Sequence, residues 1–221
     1  MPLGTRLDKY IASPLKQWPK IRKHQPRGNV NRIAQIDLTE ATDKTKRLFD
    51  EVQARLGIVP NLFRVLANAP AALEGYLSFS GALDRGSFNA KLREQIALTV
   101  AGSNLCGYCL SMHTFFASRA GLTEKEIADA GHAISAIAKT DAILKLARNI
   151  VVQRGEVSEG DLGHARASGL ADGEIVETVA HVALSIFTNY MNHVAHTVVD
   201  FPEVKLDPVE LDRIQNQPKR L

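Results

Sequence analysis

Apolar residues recur every three or four positions along most of this chain, the spacing that places them on one face of an α-helix. Leu48, Val52 and Leu56 share a face in this way. No segment shows the two-residue alternation of a half-buried strand, so the sequence predicts an all-α fold. The predicted helices span residues 37–56, 61–68, 70–84, 90–102, about 104–121, 123–138, 141–154, 158–167 and 171–199.

The break between the fourth and fifth predicted helices falls at Gly102, Ser103 and Asn104. Glycine disfavours helix interiors, and serine or asparagine side chains cap helix N-termini. We therefore expect Ser103 or Asn104 to cap the fifth helix. Cys106 would then lie in its first turn.

Two stretches, 95–118 and 178–199, contain no Asp, Glu, Lys or Arg. Each is long enough to cross a bilayer. Polar side chains interrupt both, among them His113 in the first and Asn192 in the second. Such interruptions favour buried helices of a protein core or a subunit interface, and we expect no membrane span.

The composition is that of a globular protein, with 221 residues, 45% hydrophobic residues and 23% charged residues. Two cysteines are too few for a disulfide scaffold, and a lone C-x-x-C pair is typical of metal-binding or redox sites in reducing compartments. The first ten residues lack the apolar core of a secretory signal. These features predict a cytoplasmic protein.

Positive charge is concentrated at the start of the chain. Residues 1–32 hold eight Lys or Arg and one Asp, whereas the whole chain has a formal charge of only +3. We expect residues 1–35 to form a basic, proline-containing arm that is solvated or packs on a neighbouring subunit, and we expect no nucleic-acid binding.

The strongest chemical signal is the pattern E-x11-C-x2-C-x3-H, formed by Glu94, Cys106, Cys109 and His113. On a helix, the two cysteines and the histidine lie at positions i, i+3 and i+7 and share a face. Two such thiols can close a disulfide, and a base beside them can generate a thiolate. Tyr108 lies between the cysteines, where it can donate a hydrogen bond or act as a packing aromatic.

Two other interpretations of these residues stay open. The cysteines can be buried thiols that behave as small apolar residues. Alternatively, Cys106, Cys109, His113 and Glu94 can be ligands of a zinc ion. A thioredoxin-type site is excluded, because that motif follows a strand and this one follows a predicted helix.

The motif is echoed 83 residues later. Glu94 corresponds to Glu177, the two cysteines to Asn189 and Asn192, and His113 to His196. This echo predicts a degenerate internal repeat, with a motif copy at 86–121 and a second copy at 169–204. The second copy would keep the helix pair as scaffold, with its asparagines bonded within the helix packing.

These residues resemble the alkylhydroperoxidase D-like, or carboxymuconolactone decarboxylase-like, superfamily. The segments GIVPNLFRVLANAPAALEGYLSFSGAL and ALSIFTNYMNHVAHTVVDFP are similar to its peroxidase-related branch. The resemblance covers residues 36–204 and leaves 205–221 as a C-terminal tail.

The resemblance implies an all-helical homo-oligomer, a trimer or a hexamer, without a bound cofactor or metal. It implies that Cys109 attacks a hydroperoxide, that Cys106 resolves the product as a disulfide, and that His113 and Glu94 relay protons. An external dithiol of the dihydrolipoyl type would reduce the disulfide. The best-known peroxidases of the superfamily carry histidine where this chain has Tyr108.

The sequence thus predicts a thiol-dependent hydroperoxide reductase in antioxidant defence. Three alternatives remain. A protein disulfide oxidoreductase would use the same cysteines. A decarboxylase or isomerase of the lactone-decarboxylase type would use Glu94 and His113 for proton transfer without the thiols. A metal-binding oligomer would have no enzymatic activity.

Overall fold

The computed structural model describes residues 31–206, which form nine α-helices and contain no strand. The predicted all-α fold is confirmed. Most of the predicted arm, residues 1–30, and residues 207–221 of the predicted tail lie outside the described residues. The helices are α1 (Asp43–Leu56), α2 (Asn61–Leu66), α3 (Pro70–Leu83), α4 (Ala90–Ser103), α5 (Gly107–Arg119), α6 (Glu124–Gly131), α7 (Ala138–Val152), α8 (Glu159–Ala167) and α9 (Asp172–Ala195).

Helix α4 is the centre of the fold and packs against α5, α6, α7 and α9. Its apolar side chains are buried on all sides, and Ile96, Leu98 and Val100 have no exposed surface. Gly102 lets α4 approach α6 closely, since a Cβ atom there would lie 2.4 Å from the Gly131 carbonyl oxygen. Helix α4 is therefore held within the buried core of residues 31–206.

Two buried clusters meet at α4. One joins α4 to α6, α7 and α9, with Ile143 and Leu144 at its centre. The other joins α1, α2, α3 and α5 and includes both cysteines and Tyr108. The cysteines therefore lie inside a hydrophobic cluster.

Several predicted helix boundaries are wrong by a few residues. Helix α1 begins at Asp43, because the Thr42 side chain accepts the Thr45 N–H and caps it. Upstream, the Asp37 carboxylate accepts the Thr39 N–H at 2.8 Å, a local bond that competes with helix formation. Helix α6 ends at Gly131, and α7 begins at Ala138.

The second copy of the predicted repeat does not keep a helix pair. Residues Asp172–Ala195 form one unbroken helix, α9, and the backbone first turns left-handed at His196, whose φ is 49°. In the first copy, the corresponding break lies between α4 and α5. Phe187, Thr188 and Asn189 occupy the positions of that break and continue the helix.

No helix within residues 31–206 is long and apolar enough to cross a membrane. The uncharged stretch 95–118 is divided between α4 and α5, and 178–199 belongs mostly to α9.

Candidate functional site

Cys106 both closes α4 and opens α5. Its N–H donates to the Ala101 carbonyl at 2.9 Å, across Leu105, whose φ of 52° places it in the left-handed region. This is the hydrogen bond that ends many helices after a left-handed residue. Ser103 is the last residue of α4, and neither it nor Asn104 caps α5, so that prediction is wrong.

The cap of α5 is the Cys106 thiol itself. Its Sγ accepts the Cys109 N–H at 3.4 Å, the bond that a serine or aspartate side chain makes at other helix starts. Both thiols are free and buried, with 2% of Cys106 and none of Cys109 exposed. The backbone thus holds two thiols beside each other at a helix N-terminus.

The two thiols have opposite pKa shifts. A hydrogen bond from the Cys109 side chain, assisted by backbone N–H groups, lowers the pKa of Cys106. Burial raises the pKa of Cys109 well above its usual range, and the adjacent Cys106 raises it further. When the pair loses one proton, the charge therefore rests on Cys106, with the Cys109 S–H as its donor.

His113 and Glu94 form a bonded pair across α4 and α5. Nδ1 of His113 lies 2.8 Å from Oε2 of Glu94, and the side chains are 16% and 24% exposed. A carboxylate at Nδ1 orients the imidazole and leaves Nε2 for proton exchange. His113 follows Cys109 by one helical turn, a spacing that places Cβ atoms about 5–6 Å apart.

The Tyr108 hydroxyl is hydrogen-bonded to residues other than the thiols. Its hydroxyl donates to Asp200 at 2.8 Å and accepts the Leu62 N–H at 3.1 Å, and its ring meets Phe201 edge to face. Burial raises the pKa of Tyr108, and so does the Asp200 carboxylate. Tyr108 therefore ties the start of α5 to α2 and to the segment after α9.

The residues of the zinc interpretation do not converge. Within the described part of the chain, no three His, Cys, Asp or Glu side chains come together as ligands of a metal ion. Glu94 bonds His113, and Cys106 is paired with Cys109.

Sequence reasoning missed a direct partner of the thiols. The side-chain amide of Asn192, on α9, donates to Sγ of Cys109 at 3.2 Å. Asn189 lies one turn earlier and is fully buried. The sequence held a signal for this contact, since Asn192 in the second copy of the motif corresponds to Cys109 in the first. The second copy is therefore more than scaffold.

Tyr76 of α3 was also missed. Burial raises the pKa of Tyr76, and the fields of Cys109 and Glu94 raise it further, so this hydroxyl is protonated near both groups. Nothing in the spacing of the motif points to a residue from α3.

A cavity of about 210 Å³ adjoins the first thiol. Its lining includes Cys106, Asn192 and Thr197. A larger cavity of about 860 Å³ lies away from the thiols, among residues of α7 and α8 such as Lys145 and Asp161. The smaller cavity reaches Cys106 but is not lined by Cys109.

Removal of the Cys109 thiol should raise the pKa of Cys106, because the thiolate loses its side-chain donor. In Cys109→Ala, we expect alkylation of Cys106 at neutral pH to slow by roughly tenfold. The pH profile of iodoacetamide labelling measures this change. Cys109→Ser is the matched control, since its hydroxyl still donates. Equal profiles for the two variants would contradict the proposed hydrogen bond between the thiols.

Residues 70–153 match the model of the carboxymuconolactone decarboxylase family. No curated protein matches the chain.

Solved structures share the fold. A peroxidase-related protein of Ralstonia eutropha, described as an alkylhydroperoxidase AhpD core, is 22% identical with a TM-score of 0.69, over 80% of this chain and 94% of its own. A peroxidase-related protein of a Silicibacter species is 21% identical with a TM-score of 0.68, over 80% and 94%. The debrominase Bmp8, in complex with 2,3,4-tribromopyrrole, is 16% identical with a TM-score of 0.67, over 82% and 96%.

The predicted resemblance is therefore confirmed: residues 70–153, which hold α3 to α7 and both cysteines, match the model of the carboxymuconolactone decarboxylase family, and the chain shares the fold of solved alkylhydroperoxidase D-like structures.

Proposed function

We propose that this protein is a thiol-dependent hydroperoxide reductase. The observation that carries the proposal is the pair of free thiols at the start of α5, with Cys106 accepting the Cys109 N–H and the His113–Glu94 pair one turn away. Together these groups supply a nucleophile, a second thiol that can close a disulfide, and a proton carrier.

In the first step, the singly ionised pair shifts its proton from Cys109 to Cys106. The Cys109 thiolate attacks the terminal oxygen of the hydroperoxide, and the O–O bond breaks. Cys109 becomes a sulfenic acid, and the departing alkoxide takes a proton from the His113–Glu94 pair to become an alcohol. This step oxidises the sulfur by two electrons and reduces the peroxide by two.

In the second step, Cys106 loses its proton to the His113–Glu94 pair and attacks the sulfur of Cys109. The S–O bond breaks and a disulfide forms, and the leaving hydroxide takes the proton back from the His113–Glu94 pair to become water. An external dithiol of the dihydrolipoyl type then reduces the disulfide by exchange. Cys106 lines the cavity and Cys109 does not, so Cys106 is the sulfur that the dithiol attacks. A reducing cytoplasm would keep the pair ready for the next cycle.

The alternatives require different residues or substrates. A protein disulfide oxidoreductase would exchange with a partner through the same two thiols and leave peroxide untouched. A decarboxylase or isomerase would rely on Glu94 and His113 and would keep its activity without the cysteines. The family includes decarboxylases, so the requirement for the thiols is the deciding test.

The same proposal includes a homo-oligomer, a trimer or a hexamer, assembled through α9. Large apolar side chains on one face of α9 are exposed, with Val176 at 68% and Val194 at 59%. Exposed apolar patches of this extent are typical of interfaces. A second copy fits this face because no charged residue interrupts it from Thr178 onward. The stripe consists of Val176, Val179, Phe187, Tyr190 and Val194.

Peroxide turnover should need both cysteines. With dihydrolipoamide as the reductant, we expect the wild type to consume cumene hydroperoxide. Cys109→Ser should abolish turnover, because the attacking sulfur is gone. Cys106→Ser should allow one oxidation of Cys109 without turnover, because no disulfide can form. The measurement is peroxide loss under steady-state and single-turnover conditions.

The outcome separates the candidates. Turnover that survives in Cys109→Ser would overturn the assignment of Cys109. An inactive wild type whose thiols still close a disulfide with an oxidised protein substrate would instead favour the disulfide oxidoreductase.

Glu94→Gln should slow peroxide turnover by about 10²-fold or more, because the neutral amide cannot stabilise a protonated His113. Glu177→Gln is the matched control, since Glu177 occupies the corresponding position in the second copy. Glu177 accepts the N–H groups of Ser87 and Phe88 at 2.9 and 3.1 Å, so its loss should lower stability and spare turnover per folded molecule.

Turnover normalised to folded protein, together with Tm, distinguishes the two glutamates. Equal losses of turnover in both variants would remove Glu94 from the proton relay.

Lysine on the α9 stripe should disrupt assembly. We expect the double variant Tyr190→Lys and Val194→Lys to shift sedimentation equilibrium from oligomer to monomer. The two introduced ammonium groups would be buried at the interface without a counter-charge. Val152→Lys is the control, because Val152 is 54% exposed and lies on α7. An unchanged mass in the double variant would exclude this face as the interface.

A further inference from the structure

Two buried asparagine side chains of α9 lie beside the sulfur of Cys109. Asn192 is 4% exposed, and its Nδ2 donates to Sγ of Cys109 at 3.2 Å. Asn189 has no exposed surface, and its Oδ1 accepts the Nδ2 of Asn104 at 3.0 Å. Because Oδ1 of Asn189 accepts that bond, the NH₂ group is the end of the amide that stays free. Burial and the adjacent Cys106 raise the pKa of Cys109, and the hydrogen bond from Asn192 lowers it.

The hydrogen-bonding capacity of these amides is not used up in the resting pair. Among the described residues, Nδ2 of Asn189 and Oδ1 of Asn192 have no hydrogen-bond partner, although both atoms are buried. An unsatisfied buried polar group costs about 1–3 kcal/mol, and an apolar residue would fill the same space without that cost. Such groups are expected where a partner forms only during the reaction.

The orientation of the Asn192 amide follows from the thiols. The Nδ2 atom of Asn192 lies 3.2 Å from Sγ of Cys109, and a thiolate sulfur can only accept a hydrogen bond. Asn192 therefore presents its NH₂ group and not its carbonyl oxygen. The contact also joins corresponding positions of the two motif copies, since the residues are 83 apart.

We propose that Asn192 and Asn189 form a pair of amide donors that stabilises negative charge on the Cys109 sulfur and then binds the oxygen of the Cys109 sulfenic acid. The inference rests on the proposed function, in which Cys109 attacks. The resting pair keeps its charge on Cys106, so the attack requires a state in which Cys106 holds the proton and Cys109 the charge. Asn192 already contacts the sulfur in the resting pair. Asn189 lies one helical turn away on α9, and its N–H group, buried and without a partner among the described residues, is available as a second donor.

The proton transfer between the thiols conserves protons and electrons. One proton passes between the two sulfurs, and no further oxidant or reductant takes part in that transfer. The amides keep all their protons and contribute only hydrogen bonds. The other ionisable groups whose fields reach Cys109 are Cys106, Tyr76 and Tyr108.

The test measures the ionisation of Cys109 without any peroxide. In a Cys106→Ser background, which keeps a side-chain cap on α5, Cys109 is the only thiol. Asn192→Leu and Asn189→Leu are added separately, and the pH profile of iodoacetamide labelling gives the pKa of Cys109. Thr188→Val is the matched control, a buried polar-to-apolar change on α9 whose hydroxyl donates to the Ser185 carbonyl.

We expect each leucine variant to raise the pKa of Cys109, with roughly tenfold slower labelling at a fixed pH below that pKa, and Thr188→Val to leave it unchanged. An unchanged pKa in both leucine variants would overturn the donor pair. If Asn192→Leu fails to fold, Asn192→Ser gives the same comparison, with a smaller expected rise because a hydroxyl remains. Tm and far-ultraviolet circular dichroism monitor folding in every variant.

A second measurement addresses the oxidised state. In the Cys106→Ser background, one equivalent of peroxide should produce a sulfenic acid that dimedone traps. Asn189→Leu should shorten its lifetime relative to Thr188→Val, and equal lifetimes would overturn the oxygen-binding role. Failure of the wild type to react with peroxide would refute the proposed function and leave the ionisation result to decide the donor role separately.

Discussion

The hydrogen bond from the Cys109 N–H to the Cys106 sulfur is the constraint on which the site depends. Cys106 occupies the one position that belongs to the end of α4 and the start of α5. Because the backbone of α4 fixes its N–H and the backbone of α5 supplies the donor to its sulfur, the thiol has little freedom to move. The second sulfur follows at the spacing that the helix imposes. Leu105 bears the left-handed φ that this arrangement requires, although a side chain there is disfavoured.

Because both sulfurs are buried, hydrogen bonds from the protein decide which of them carries the negative charge. Neither sulfur is appreciably exposed, so each charge must be stabilised by hydrogen bonds from the protein. Cys106 is stabilised by the N-terminal N–H groups of α5 and by the thiol of Cys109, whereas Cys109 receives a hydrogen bond from Asn192 of α9. The two sulfurs are therefore stabilised by different helices. A proton that moves between them shifts the charge from the donors of α5 to those of α9.

Much of this architecture could be predicted from the sequence, because helical periodicity is a local signal. It gave the helices of residues 31–206 to within a few residues and placed Cys109 and His113 on α5, and the contact between His113 and Glu94 followed from the motif. Cys106, predicted in the first turn of α5, is instead its N-cap residue. The cap of α5 could not be predicted, since Ser103 and Asn104 are better cap residues than cysteine and only the path of the chain through Leu105 decides the outcome. The contact of Asn192 with Cys109 depends on the packing of α9 on α5, which local patterns do not encode. The predicted helix pair in the second copy was wrong, because α9 continues through Phe187, Thr188 and Asn189, where the first copy has its break.

The two motif copies show that a residue type does not fix a role. Glu94 and Glu177 occupy corresponding positions, yet Glu94 bonds an imidazole while Glu177 binds the backbone N–H groups that precede α4. A carboxylate that accepts from fixed backbone donors is held in its charged form, which explains why hydrogen bonds lower the pKa of Glu177 despite its burial. A carboxylate that faces a titratable partner can instead follow the protonation of that partner. The cysteines and the asparagines differ in a similar way. A thiol can lose a proton and become charged, whereas an amide stays neutral and can only form a hydrogen bond to that charge. The first copy thus holds the groups that can exchange protons, and the second copy holds the groups that position and stabilise them.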